Sequence, residues 1–460
     1  MAKIRKYRNI CWQSWFCGSI IRHALSEKRR IQRGQIKTMG DKSREPDAGK
    51  KQTKYAFAAF LAVVVFVIIY KYSLNELYSL ELNDLQEHTA HAADIYLDRM
   101  RDAWVELPYL FWHLCVKSCI KFLEMPVEEA AAFVCAGFAL FNYFVIFYLV
   151  DRTVLRLSGR EAGMMSGAAA GTLSLVQPLY MRWFNPFQYE GQFSINPVFN
   201  PTHSAVKPIG LLCFMAAVDL ILRYKGKEGL YFKGISKVKW LYVFFSVLLL
   251  FSAFTKPTFM FMLLPAGALY LLIDLVEALY KKEGKAKKVW GFMWRMACTT
   301  IPALLYLLAE YAAFYFWGGT NPDAHVAIYP FLEAWHIYSP DVPKSVILSM
   351  SFPIWIVATN LKYFVDSVEG RLSFIGYAVG TLEFCFVVET GDRLGHLNFA
   401  WAMMSGMLLI WVVCAARLVQ ITAASRPGRW QSVKIIFGWM LLSLYLFSGL
   451  YYISPGQYII

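Results

Sequence analysis

The chain has 460 residues, 57% hydrophobic and 17% aromatic, with a mean hydropathy of +0.41. This composition excludes a soluble globular protein of its size and points to a polytopic membrane protein. The 46 Lys and Arg against 32 acids give a net charge of +14, but the cations cluster in short blocks between apolar runs, as topology signals do, which argues against nucleic acid as a partner.

Residues 1–54 form a basic tail with fifteen Lys and Arg and no uninterrupted apolar core, so no cleavable secretory signal is expected. Within it Ile10 to Leu25 fits either a short interfacial helix or a disordered stretch. A spanning helix needs roughly 20 apolar residues, and eleven stretches qualify, centred on 55–71, 129–150, 163–181, 207–223, 240–255, 257–279, 297–317, 345–361, 372–388, 400–416 and 435–453. The stretch 107–125 differs, because His113, Lys117, Lys121 and Glu124 draw one polar stripe down an otherwise apolar helix. That pattern predicts a helix lying in the membrane interface. The nine cysteines form no CxxC motif and read as small hydrophobes.

With 107–125 in the interface and the basic tail inside, the segments near 151–162, 224–239, 280–296, 362–371 and 417–434 are cytoplasmic and hold most of the later Lys and Arg. The later outer segments hold Arg182, Lys207, Lys256, Lys344 and Arg393. Counting 107–125 as a span would invert this distribution, against the positive-inside bias. The expected fold is therefore all-α: a polytopic transmembrane helical bundle of about eleven spans with a cytoplasmic amino terminus and an outer carboxyl terminus. The transmembrane domain covers 55–453, with outer segments at 72–128, 182–206, 318–344 and 389–399 and a short outer tail at 454–460. The first outer loop carries two interfacial helices.

Of the eight histidines, His88, His91, His113, His203, His325, His336 and His396 fall in outer segments and His23 in the cytosol. Ionisable residues gathered on one face of a membrane protein predict a polar cavity opening there. A helix from about Glu81 puts Asp84, His88 and His91 on one face. A carboxylate beside an imidazole in a half-buried site suits a general base. The same trio is a weak match to a divalent-metal site, and no cofactor is called for with certainty. An exposed acidic helix would look the same. Asp219, Glu310 and Glu383 lie inside expected spans, where each needs a partner or a water-lined cavity; Asp219 reads as structural.

A single span, a long outer loop with an Asp-x-x-x-His helix and a second amphipathic helix, then many further spans, resembles the type C glycosyltransferase superfamily. Three segments are similar to a bacterial subgroup of large multi-spanning members: Asn196-Pro-Val-Phe-Asn200-Pro201-Thr202-His203 leading into Val206-Lys207-Pro208, then Thr255-Lys256-Pro257, then Glu389 to Trp401. The resemblance implies transfer of a sugar from a polyprenyl-phosphate donor to a glycan or lipid acceptor on the outer face of a plasma membrane, with inversion. It implies Asp84 as general base with His88 beside it. Arg182, His203, Lys207, Lys256 and Arg393 would serve the donor phosphate and its surroundings, and Glu389, His396 and Asn398 would contact sugar or acceptor. Where the subgroup has Arg before the proline of the second outer loop, this chain has Lys207, which keeps the charge but loses bidentate phosphate recognition. At the cytoplasmic face the basic blocks are expected to meet anionic lipid head groups. The alternative class is a transporter or flippase of lipid-linked saccharides, although the chain shows no convincing internal halves.

Overall fold

The computed structural model describes residues 48–79, 83–96, 100, 104, 107, 109–158, 162–179, 183, 192–281, 285–313, 325–396, 398–424 and 428–454. For 48–51, 157, 158, 392 and 393 it describes the backbone alone. The expected basic tail to residue 47, Glu81, Arg182 and the side chain of Arg393 lie outside the described residues.

The chain is overwhelmingly helical. Helix α1 (Ala48–Leu77) is followed by two short helices, α2 (Asp84–Asp94) and α3 (Phe111–Leu123), and then by α4 (Val127–Ser158), α5 (Met164–Leu175), α6 (Pro201–Tyr224), α7 (Val238–Thr255), α8 (Thr258–Tyr280) and α9 (Ala286–Ala312). Strand β1 (Val326–Ile328) and the one-turn α10 (Glu333–His336) precede α11 (Val342–Thr359), α12 (Leu361–Asp366) and α13 (Val368–Phe386). Strand β2 (Val387–Glu389), a 3-10 turn over Gly391–His396, α14 (Ala400–Ala423) and α15 (Arg429–Ile453) complete the order.

Among the described residues nine helices are long and apolar enough to cross a membrane, which makes the chain a multi-pass membrane protein. Two of the eleven expected spans are not among them. In 163–181 the helix stops at Leu175, 12 residues and about 18 Å at 1.5 Å per residue. Pro178 cannot continue it, and the chain runs on extended. Gln177 N donates to Tyr445 O and Leu179 N to Leu348 O at 3.2 and 3.1 Å, so backbone groups that lipid could not satisfy find protein partners.

The second exception, α13, is 19 residues long but carries Glu369, Arg371 and Glu383. Its fit comes from packing. A Cβ added at Gly406 of α14 would lie 2.7 Å from Gly376 O, and one at Gly380 would lie 2.7 Å from Ala402 O, so these glycines let the two backbones approach closely. Helices α6 and α14 are almost wholly buried and form the centre of the bundle.

The all-α expectation needs one addition. β1 and β2 pair antiparallel, with Val326 opposite Glu389 and Ile328 opposite Val387, which ties the segments 318–344 and 389–399 together.

Candidate functional site

The site starts from the capping of α2. Asn83 accepts from Gln86 N at 3.1 Å while its own N–H donates to the Gln86 side chain at 3.2 Å, a reciprocal capping box that sets the helix start at Asp84. Leu85, Thr89 and Ala92 then form the buried face. Leu85 and Ala92 pack with Trp112 and Val116 of α3, Ala130 and Ala131 of α4 and Ala205 of α6. This anchoring presents Asp84 to Asn200 at the start of α6 and His88 to His113 of α3.

Asn200, the N-cap of α6, joins the site together. Its Oδ1 accepts from His203 N, from Thr202 Oγ1 and from Lys256 Nζ, each at 3.0 Å, while its Nδ2 donates to Asp84 Oδ2 at 3.0 Å. A carboxylate and an ammonium thus share one amide. Lys256 Nζ also donates to Thr202 Oγ1 at 3.1 Å and stands 4.6 Å from the ring centre of Trp401 and 5.7 Å from that of Tyr109. These are cation–π distances. The side chain is 5% exposed. Burial pulls its amine down to about 7, with the Asp84 carboxylate acting in the opposite direction.

His88 and His113 form a second chain of contacts beside this one. His113 Nδ1 lies 3.3 Å from Tyr109 O. A carbonyl only accepts, so Nδ1 carries the proton and Nε2 of the neutral ring accepts. His88 Nδ1, 3.0 Å from His113 Nε2, is then the donor, which leaves His88 Nε2 as a free base. Burial is the main cause that holds His88 well below its usual pKa, helped by His113, Lys256 and His91. Burial likewise takes His113 to about 4, opposed by its bond to Tyr109 O. Both rings are neutral at pH 7. Tyr109 sits in the left-handed region at φ 69°, and its N–H donates to Glu310 Oε1 at 3.2 Å. Tyr306 donates to the same carboxylate at 3.3 Å, so Glu310 has the partners a charge inside a span requires.

The other expected site residues are placed differently. His203 is fully buried with its ring centre 5.1 Å from that of Trp401. Neither ring nitrogen has a hydrogen-bond partner among the described residues, which leaves two polar atoms beside Lys256 open to a ligand or water. Lys207 is engaged inside the protein. Its Nζ donates to Asn196 Oδ1 at 2.7 Å and Ile195 O at 3.2 Å, and Asn196 Nδ2 donates in turn to Leu173 O and Val176 O at 2.9 and 3.0 Å. Lys207 therefore clamps the segment before α6 to the end of α5. Asn398 Nδ2 donates to Glu389, and His396 is exposed. In sequence this pair leads directly to Trp401 at the start of α14.

His91 turns outward to Glu87 at 3.7 Å, an exposed pair of little energetic weight. Among the described residues no three His, Cys, Asp or Glu side chains gather as metal ligands, so Asp84, His88 and His91 have no metal-site geometry. The polar stripe expected along 107–125 divides: His113 is fully buried and Lys117 Nζ donates to Ala93 O at 2.7 Å, while Lys121 and Glu124 are exposed. Asp219 proves structural, accepting from the N–H groups of Leu230, Tyr231 and Phe232.

No family model matches the chain, and no curated protein matches it.

Proposed function

We propose that the protein is an integral-membrane glycosyltransferase, similar to type C enzymes, that uses a polyprenyl-phosphate-linked sugar. One observation carries the reading: Asn200 holds a carboxylate and a buried ammonium at 3.0 Å each, at the end of the bundle where two interfacial helices meet the spans. Sugar transfer from a lipid phosphate needs those two groups together. Asp84 takes the proton of the acceptor hydroxyl as its oxygen bonds the anomeric carbon. The bond from that carbon to the phosphate oxygen breaks, and the charge left on the departing polyprenyl phosphate meets Lys256. Attack opposite the leaving group inverts the anomeric centre. The half-buried Tyr109 offers an aromatic surface for the sugar, Trp401 backs the Lys256 ammonium, and His88 Nε2 lies ready to accept a hydrogen bond.

In this reading α5 and α13 complete eleven crossings. The amino-terminal end of α1 is cytoplasmic, the Asp84 end faces outward at a plasma membrane, and the carboxyl terminus lies outside. The clustering of Arg156, Lys227, Lys281, Lys362 and Arg417 at the ends of helices remote from Asp84 supports that orientation.

The test uses the full chain in proteoliposomes carrying a fluorescent polyprenyl-phosphate hexose. Mass spectrometry of released polyprenyl phosphate and of new glycosides should show transfer. Intact lipid-linked sugar moved across the bilayer, with no hydrolysis or transfer, would establish a flippase and overturn the reading.

A further inference from the structure

At the opposite end of the bundle a cavity of about 390 Å³ opens among the ends of five helices, α4, α6, α12, α13 and α14. It lies far from Asp84, because α6 alone runs 24 residues from Pro201 to Tyr224, about 36 Å at 1.5 Å per residue. Four cations line it: Arg156 from α4, Lys227 after α6, Lys362 from α12 and Arg417 from α14. Two acids, Asp366 and Glu369, oppose them, which leaves an excess of positive charge.

The cations are not used up by one another's partners. Arg417 donates from Nε to Asn360 Oδ1 at 2.9 Å and from Nη1 to Gln420 Oε1, both neutral partners, and lies over the Tyr363 ring; Arg156 is 3.6 Å from Glu369, and the two lysines stand exposed at the rim. Glu369 is the unusual member. It is 1% exposed, it lines the cavity, and neither carboxylate oxygen has a hydrogen-bond partner in another residue among those described. A buried carboxylate left in this state is costly unless a donor fills the space. A bare phosphate would answer the rim cations and be repelled by Glu369. The cavity therefore asks for an anion and for N–H or O–H donors a few bonds away.

We propose that this cavity binds a phosphate ester whose substituent carries an ammonium or hydroxyl group, as in phosphoethanolamine or phosphoglycerol. The phosphate lies against Lys227, Lys362 and the guanidinium groups of Arg156 and Arg417, and the donor end points to Glu369. Because the cavity sits at the helix ends, where head groups lie, a phospholipid supplies this chemistry directly; a free phosphate ester supplies it from solution.

The experiment uses the full-length protein in detergent and native mass spectrometry with added phosphatidylethanolamine, phosphatidylglycerol or phosphatidylcholine, the last having no N–H donor. Phosphatidylethanolamine and phosphatidylglycerol should bind at least tenfold more tightly than phosphatidylcholine. Lys227→Ala combined with Lys362→Ala, both exposed positions, should lose that binding about tenfold without change in thermal unfolding. Glu369→Gln should keep lipid binding while narrowing the preference over phosphatidylcholine. Competition by soluble O-phosphoethanolamine would support the site and identify the head group as sufficient; binding of intact lipid alone would support it with a membrane source. Equal binding of all three lipids, or a double variant that binds like wild type, would overturn the proposal.

Discussion

Replacing Asn200 by Ala tests whether one amide organises the site. The substitution removes the N-cap of α6, worth about 1 kcal/mol, and two hydrogen bonds to charged groups, Asp84 and Lys256, each worth roughly 1.5–3 kcal/mol. Lys256 keeps Thr202 and the face of Trp401, so the loss is not the full sum. A total of about 3 kcal/mol is expected, or about 3 °C in Tm for a chain this large. Asn200→Asp separates the contributions. It retains an acceptor for His203 N and Lys256 but sets a second carboxylate against Asp84, which raises the pKa of the pair. Thermal unfolding of the detergent-solubilised protein, followed by tryptophan fluorescence, should place Asn200→Ala below wild type and Asn200→Asp, which keeps the cap and the Lys256 bond but loses the donor to Asp84, between the two. The Asp variant should transfer sugar only at higher pH than wild type. An Ala variant unfolding within a degree of wild type would refute the hub.

Acid should loosen α2 from α3. His113 titrates at about 4 in the folded protein, below the ordinary 6.5, so the folded state binds fewer protons than the unfolded one between those values. Its effect is absent above pH 6.5, grows as pH falls and reaches about 3 kcal/mol below pH 4. Hydrogen-exchange protection of α2 and α3 should drop between pH 7.5 and 5.0, and unchanged protection would contradict the buried neutral pair. Lys256→Ala should raise KM for the lipid donor at least tenfold. In wild type that KM should climb as pH rises through about 7, where the amine loses its proton, whereas Lys256→Arg should be indifferent to pH over this range. In a chain lacking its native cysteines, Lys121→Cys should label from outside intact cells and Lys281→Cys only after permeabilisation; reversed labelling would invert the topology.

The residues of the site were readable in the sequence to different depths. Asp84 and His88 stood out because an i, i+4 pair on an amphipathic helix is visible without any long-range information, and Lys256 because a cation between two apolar runs is conspicuous. Asn200 was visible as part of a polar segment, yet its four contacts reach Asp84, Thr202, His203 and Lys256, and that convergence depends on how α2, α6 and α7 meet. Helical periodicity places His113 on an interfacial stripe, because it gives a face but not what covers the face; His88 of α2 covers it. Lys207 and Lys256 look alike as basic residues near prolines, and the fold separates them into a clamp and a site cation. The short α5 was hidden for a similar reason. Hydropathy registers 163–181 as apolar throughout; Pro178 marks where a helix cannot continue, but that the backbone of Gln177 and Leu179 bonds to neighbouring segments depends on the fold.

The central claim is that Asp84 acts as the base of a sugar transfer, and the rate of the Asp84→Asn variant tests it most directly. With saturating polyprenyl-phosphate sugar in proteoliposomes, single-turnover transfer should fall by about 10²–10⁴-fold, the usual contribution of a positioned base. Donor binding, which rests on Lys256, should persist. A variant that transfers sugar at the wild-type rate would contradict the account.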